Sequence, residues 1–171
     1  MYGFPSRRSL RLPHFNYAAD GYYFITFCTR HHACLLGNIK TGAVTLSAYG
    51  RMVEEQITHL PTMFHADAYV VMPNHVHILL SRGHEALETR HIAHWMNRTP
   101  NAMGFRILPQ SVSTVIARLK GNVTREIGKC IWQRGYYDRI IRNQEEYDRI
   151  KTYIAENPLR WSNDRFNPNH I

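Results

Sequence analysis

The order of hydrophobic periods along this 171-residue chain predicts an α+β domain: strand, helix, strand, strand, helix, strand, and then one further helix. Three observations carry that expectation. Two segments repeat apolar residues at helical spacing, and four short runs are rich in aromatic and β-branched residues. Two of those runs meet at a Pro-Asn turn.

The first residues, through SRRSLRLPHFNYAAD, are polar, basic and broken by Pro13, and read as an extended arm over about residues 1–20. GYYFITFCTR follows with the composition of a core strand. HHACLLGNIKTGA reads as a connection with a turn at Gly37-Asn38. From Thr45 the period changes: Leu46, Tyr49, Val53, Ile57 and Leu60 form a helical stripe with Glu54, Glu55 and Gln56 opposite, and Pro61 closes it. ADAYVVMP and HVHILLS are strands around Pro73-Asn74. About residues 83–110 show no sustained period and read as a long mobile linker, whose His84, His91 and His94 are taken as surface residues. Val112, Val115, Ile116, Leu119, Val123 and Ile127 mark a second helix over Ser111 to Lys129. CIWQRGYYDRII resumes strand character. NQEEYDRIKTYIAENP is helical, with Asn143 as N-cap and Glu145 and Glu146 in the acid-favouring first turn. The sum is a ferredoxin-like (RRM-like) βαββαβ antiparallel sheet with helices on one face, plus a C-terminal helix, in a single domain spanning 1–171.

The net charge is +8 with histidine neutral, and the pI is about 9.7. Such a chain is biased toward polyanions, nucleic acid before anionic membrane. Arg7, Arg8 and Arg11 cluster in the arm. Arg118, Lys120, Arg125 and Lys129 lie along the second helix, and Arg134, Arg139 and Arg142 follow. No apolar run is long enough to span a bilayer and no secretory pattern opens the chain, so the expectation is a cytoplasmic protein with no membrane partner. Cys28, Cys34 and Cys130 form no CxxC pair and read as small, partly buried hydrophobes rather than a disulfide or zinc framework. No P-loop occurs, so no nucleotide cofactor is expected.

In VVMPNHVHILLS, alternation puts His75 and His77 on one face of a strand with Val76 and Ile78 on the other. Two such imidazoles either chelate one metal ion or are satisfied, partly buried histidines. A third donor is available on the last helix, where Tyr153 and Asn157 are i and i+4 and share a face. Pro158 disfavours helical geometry at Asn157, which would leave its amide oxygen free at the helix end. Two imidazoles and a carboxamide suit Mg²⁺ or Mn²⁺ completed by water and phosphate oxygens, with zinc as the alternative. A phenol beside a metal-bound phosphodiester can attack phosphorus, with Arg149 and Lys151 as nearby cations for the phenolate. Tyr136, Tyr137 and Tyr147 are rival tyrosines, read as structural.

RRSLRL, GYYFITFCTR, VVMPNHVHILL, VIARLKGNVTREI, WQRGYYDRIIRNQEEYDRI and YIAENPLRW together resemble the single-tyrosine HUH transposases, most closely the REP-associated tyrosine transposases of bacteria, along nearly the whole chain. The resemblance implies metal-dependent cleavage and rejoining of single-stranded DNA at hairpin-forming, REP-like palindromic elements. By position, His75 and His77 are the HUH histidines, Tyr153 the nucleophile that takes the 5′ phosphate, and Asn157 the third metal position. The basic arm would grip the hairpin stem, and Arg118, Lys120, Arg125 and Arg134 would contribute phosphate affinity. Trp132, Tyr136 and Trp161 either stack unpaired bases or pack in the core. Related enzymes include monomers and homodimers that exchange the tyrosine helix, and both remain open. So do two other functions: an HUH nickase of the replication-initiator or relaxase type, and a DNA-binding regulator that does not use the constellation.

Overall fold

A computed structural model describes residues 17–83 and 111–168. The predicted arm with Arg7, Arg8 and Arg11, and the linker's His84, His91 and His94, lie outside the described residues. The elements in chain order are β1 (Gly21–Cys28), β2 (Gly37–Lys40), β3 (Ala43–Leu46), α1 (Ala48–Thr58), β4 (Phe64–Val71), β5 (His75–Arg82), α2 (Val112–Ile127), β6 (Tyr137–Ile140) and α3 (Gln144–Glu156). A 3-10 segment, Asn157–Asn163, continues α3.

Four strands form an antiparallel sheet in the order β4-β5-β1-β6. With β2 and β3 set aside as a separate hairpin, this is the ferredoxin-like order expected. β5 and β1 are the inner strands and run fully paired from Gly21 opposite Arg82 to Cys28 opposite His75.

The alternation of side chains divides the core in two. One face carries Tyr23, Ile25, Phe27, Val76, Ile78 and Leu80 against Val53 and Ile57 of α1 and Val115, Ile116, Leu119 and Val123 of α2. Each such fully buried side chain contributes about 1.5–3 kcal/mol. The other face carries Tyr22 and Leu79 against Tyr147, Ile150 and Ile154 of α3. The three α-helices among the described residues begin on the caps their sequences offer. Ser47, Ser111 and Asn143 each accept a hydrogen bond from the backbone N–H three residues on.

Four local expectations need correction. Gly37-Asn38 is not a turn: these residues are the first rungs of the β2–β3 hairpin, paired with Leu46 and Thr45. The turn lies at Thr41 and Gly42, whose φ values of 51° and 78° are those of a type I′ hairpin turn. The strand read over CIWQRGYYDRII is cut to four residues, because Gly135 adopts a left-handed φ of 78° and Trp132 makes only an isolated bridge with Thr29. Asn157 keeps helical dihedrals before Pro158 (φ −55°, ψ −42°), since the chain runs on as a 3-10 helix. Cys28 is buried, with its thiol pushed up to about 11 by desolvation, but Cys34 and Cys130 are exposed. No helix among the described residues is long and apolar enough to cross a membrane.

Candidate active site

β5 sets the site. His75 and His77 project from its α3 face and are both buried, with ring centroids 4.7 Å apart. On the neighbouring strand Thr26 stands opposite His77, and its Oγ1 is 2.7 Å from His77 Nδ1. Phe24 stacks on the His77 ring at 5.2 Å.

The hydrogen bonds fix the protonation of His75. Asn74 Nδ2 donates to the carbonyls of His32 and Phe166, so its Oδ1 must be the atom facing His75 Nδ1 at 2.9 Å. An amide oxygen only accepts; His75 therefore carries its proton on Nδ1 and its lone pair on Nε2. That Nε2 is buried and has no hydrogen-bond partner. His77 fits the same tautomer, with Nδ1–H donating to Thr26 and Nε2 receiving the Tyr153 hydroxyl at 3.4 Å. Burial, the largest cause, pushes His75 down to about 3 and His77 well below its ordinary value, so both are neutral near pH 7. Two neutral imidazoles that present Nε2 lone pairs, each held at Nδ1 by a second hydrogen bond, suit metal ligation, although the His77 lone pair is occupied here by the Tyr153 hydroxyl.

α3 brings the other predicted residues. Ile150 and Ile154 bury its core side, and Tyr147 donates to Asp67 Oδ2 at 3.0 Å. Asp67 is the extra residue of a β4 bulge, and its Oδ1 also accepts from Ser81. Clamped in this way, α3 places Tyr153 on its flank, 37% exposed, with its ring 5.3 Å from His77. Asn157, one turn later, is 2% exposed, and its Oδ1 is buried without a hydrogen bond. The structure thus brings His75, His77, Tyr153 and Asn157 together. Two of the site's acceptors, His75 Nε2 and Asn157 Oδ1, are orphans whose desolvation a cation would offset. Among the described residues no three His, Cys, Asp or Glu side chains form a group that could hold a metal ion.

Desolvation raises the Tyr153 phenol above its ordinary value; the neighbouring Asn157 amide opposes this, as do Arg165 and Arg160. These arginines, not Arg149 and Lys151, are the cations the structure puts beside Tyr153. Lys151 sits over the Tyr147 ring, and Arg149 lines a separate cleft with Arg139 and Arg142. Arg160 and Arg165 line a cleft of about 590 Å³ together with Tyr153, Asn157, Asp164 and Phe166. Phe166 is wedged between His32 and His75, at 5.0 and 4.8 Å, and Trp161 lies 6.2 Å from His75.

The rival tyrosines are placed elsewhere. Tyr147 is buried on Asp67, and Tyr136 shares a hydrogen bond with Ser113 of α2. Tyr137, opposite Thr26, is 40% exposed on the same sheet face as the histidines. Trp132 packs edge-on against Phe27 and donates to the Lys120 carbonyl, which makes it a core residue. Arg118, Lys120 and Arg125 ride on α2, across the sheet from the histidines. Lys120 is committed locally, donating to the carbonyls of Gln133 and Gly135, and Arg125 donates to Asn122. Arg118 and Arg134 are exposed.

Sequence reasoning missed Asn74, Thr26, Asp164, Arg160 and Arg165. Asn74 had one available signal, its position just before the first histidine. The others sit on a neighbouring strand or an aperiodic tail, where spacing carries no information about the site.

No protein-family model matches the chain. A protein of Haemophilus influenzae, described as uncharacterized, is 32% identical over 171 residues, covering 95% of this chain and 94% of its own. The chain belongs to one family with that protein. Among solved structures, that of a REP-associated tyrosine transposase bound to a REP hairpin aligns with a TM-score of 0.57. The alignment is 21% identical and covers 88% of this chain and 74% of that one, which shows a shared fold.

Proposed function

We propose that the protein is a metal-dependent single-stranded DNA transposase or endonuclease that cleaves and rejoins hairpin-forming, REP-like DNA through a 5′-phosphotyrosine. The observation that carries this is the convergence of the Tyr153 hydroxyl, two lone-pair-bearing Nε2 atoms and the orphaned Asn157 Oδ1 on one sheet face. The resemblance of its motifs to REP-associated transposases, and a fold shared with one whose structure holds a REP hairpin, supply the substrate class.

A divalent cation, Mg²⁺ or Mn²⁺, held by His75, His77 and Asn157 would polarise the scissile phosphate and offset charge on the departing oxygen. The chain's own residues do the rest. The Tyr153 oxygen attacks phosphorus, an O–P bond to tyrosine forms and the bond to the 3′ oxygen breaks. The exposed phenol gives its proton to water, and the departing 3′ oxygen takes one from water. Arg160 and Arg165 favour the phenolate that burial disfavours. Rejoining is the reverse attack by a 3′-OH on the phosphotyrosine, which conserves the bond energy. Phe24, whose ring stands edge-on to Tyr153 at 6.0 Å, shares its sheet face with the exposed Tyr137, which offers a stacking surface to unpaired bases, while Arg139 on the same face is paired with Glu146.

Labelled hairpin single-stranded DNA, incubated with the protein and Mn²⁺ or Mg²⁺, should give a denaturation-resistant covalent adduct that Tyr153→Phe abolishes. Tight binding with no adduct from the wild type would favour a non-catalytic DNA-binding regulator. An adduct that survives in Tyr153→Phe would mean another residue is the nucleophile.

A further inference from the structure

A second cleft, of about 560 Å³, lies between β6 and the first two turns of α3. Arg139, Arg142 and Arg149 line it, together with Asp138, Glu145 and Glu146. The acids do not cancel the bases there. Asp138 stands opposite Ile25, so alternation along β6 sends its side chain to the α2 face of the sheet, away from α3. Glu146 is 5% exposed and committed at both oxygens: Oε1 accepts from Arg139 Nε and Oε2 from the Arg142 backbone N–H. Glu145 is the remaining acid.

The bases are placed differently. A buried carboxylate holds Arg139 at Nε and fixes the direction of its guanidinium, while the side chain stays 63% exposed with further N–H donors toward solvent. Arg142 and Arg149 are exposed, and neither guanidinium has a hydrogen bond or ion pair with another described residue. Two features join these arginines to Tyr153. Arg149 and Tyr153 are i and i+4 on α3, on one flank and about 6 Å apart along the axis. Arg139 stands opposite Phe24, whose ring is edge-on to Tyr153 at 6.0 Å. A strand with its scissile phosphate at Tyr153 would bring neighbouring phosphates to Arg149 and then to Arg139 and Arg142. A cleft of this volume takes one chain's backbone and not a duplex.

We infer that the cleft between β6 and α3 binds backbone phosphates of the single strand flanking the cleaved bond, through Arg142 and Arg149 beside the braced Arg139. This rests on the DNA reading above and adds to it a site apart from the histidines and from the basic residues of α2.

The test is a fluorescence anisotropy titration of the full chain in chelator, at several salt concentrations, with two labelled probes. One is a hairpin with single-stranded extensions on both sides, the other the same stem without them. The double variant Arg142→Gln, Arg149→Gln leaves the Arg139–Glu146 pair in place, so its melting temperature should match wild type. Its Kd for the extended probe should rise about 5–20-fold. The slope of log affinity against log salt should become shallower by about 1.4, at about 0.7 per lost phosphate contact on a single strand. Its Kd for the bare stem should stay within about twofold of wild type. Arg142→Lys with Arg149→Lys, which keeps both charges, should recover most of the salt slope. An unchanged Kd and slope for the extended probe, in a protein whose wild type still forms the covalent adduct, would overturn this inference and leave the proposed function standing. Equal weakening on both probes would also overturn it, by assigning the arginines to the stem or to net charge alone. If wild type binds neither probe, the DNA reading fails and this inference with it.

Discussion

Acidifying the protein in chelator should destabilise it through the burial of His75 and His77. His75 has its folded pKa depressed from 6.5 to about 3, burial being the main cause. A depressed histidine is protonated more readily in the unfolded chain, so its contribution is intact above pH 6.5 and is lost as pH falls toward 3. Between about pH 7.5 and about pH 5 the loss is on the order of 2 kcal/mol for this group alone, at 1.36 kcal/mol per unit once below the unfolded value. His77 adds to it in the same direction. For a chain of this length, about 2 kcal/mol lowers the melting temperature by roughly 4–8 °C. The assay is denaturant unfolding in chelator across that pH range, comparing wild type with His75→Gln. The difference between the two stability profiles isolates His75 from the other histidines, and the variant's profile should be flatter by about that amount. Saturating Mn²⁺ should shift the wild-type decline to lower pH, because protons and metal compete for the same lone pair. Parallel profiles for the two proteins would refute the reasoning: His75 would then be solvated, or held as a cation by the Asp164 carboxylate 3.9 Å from its Nε2.

Tyr147→Phe removes the hydrogen bond to the buried Asp67 carboxylate and should cost about 1–3 kcal/mol in equilibrium unfolding, while adduct formation through Tyr153 persists. Gly50→Ala would drive a Cβ to 2.0 Å from the Leu36 carbonyl oxygen, a backbone atom, so a loss of about 1–3 kcal/mol or more is expected in the same measurement. Tyr137→Ala should leave the melting temperature unchanged and weaken single-stranded DNA binding by about 1–3 kcal/mol in a fluorescence titration, as expected for loss of one stacking ring.

The alternation in HVHILLS, the helical stripes of α1 and α2 and the capped, acidic first turn of α3 were legible because each is a local pattern within one element. Their order was sufficient to give the ferredoxin-like topology. The i, i+4 placement of Tyr153 and Asn157 was equally local. The β2–β3 hairpin was not legible: its strands are four residues long, and its turn uses Thr41-Gly42 where Asn-Gly would have announced itself. β6 was overextended because Trp132 and Tyr136 have strand-like composition but are used in the α2-side core and in a hydrogen bond to Ser113.

By itself, the sequence determined that two imidazoles share one face of a strand and that a phenol and an amide stand one turn apart on a helix, since residue type and spacing decide what a strand or helix can present. Only the tertiary structure decided the state of those groups. Asn74 fixes the tautomer of His75 through two carbonyls from distant parts of the chain, and burial under α3 and the tail keeps both imidazoles neutral. Asp164 faces His75 from a segment with no period to read. Proton position and desolvation are properties of neighbours in space, and a one-dimensional pattern does not carry them.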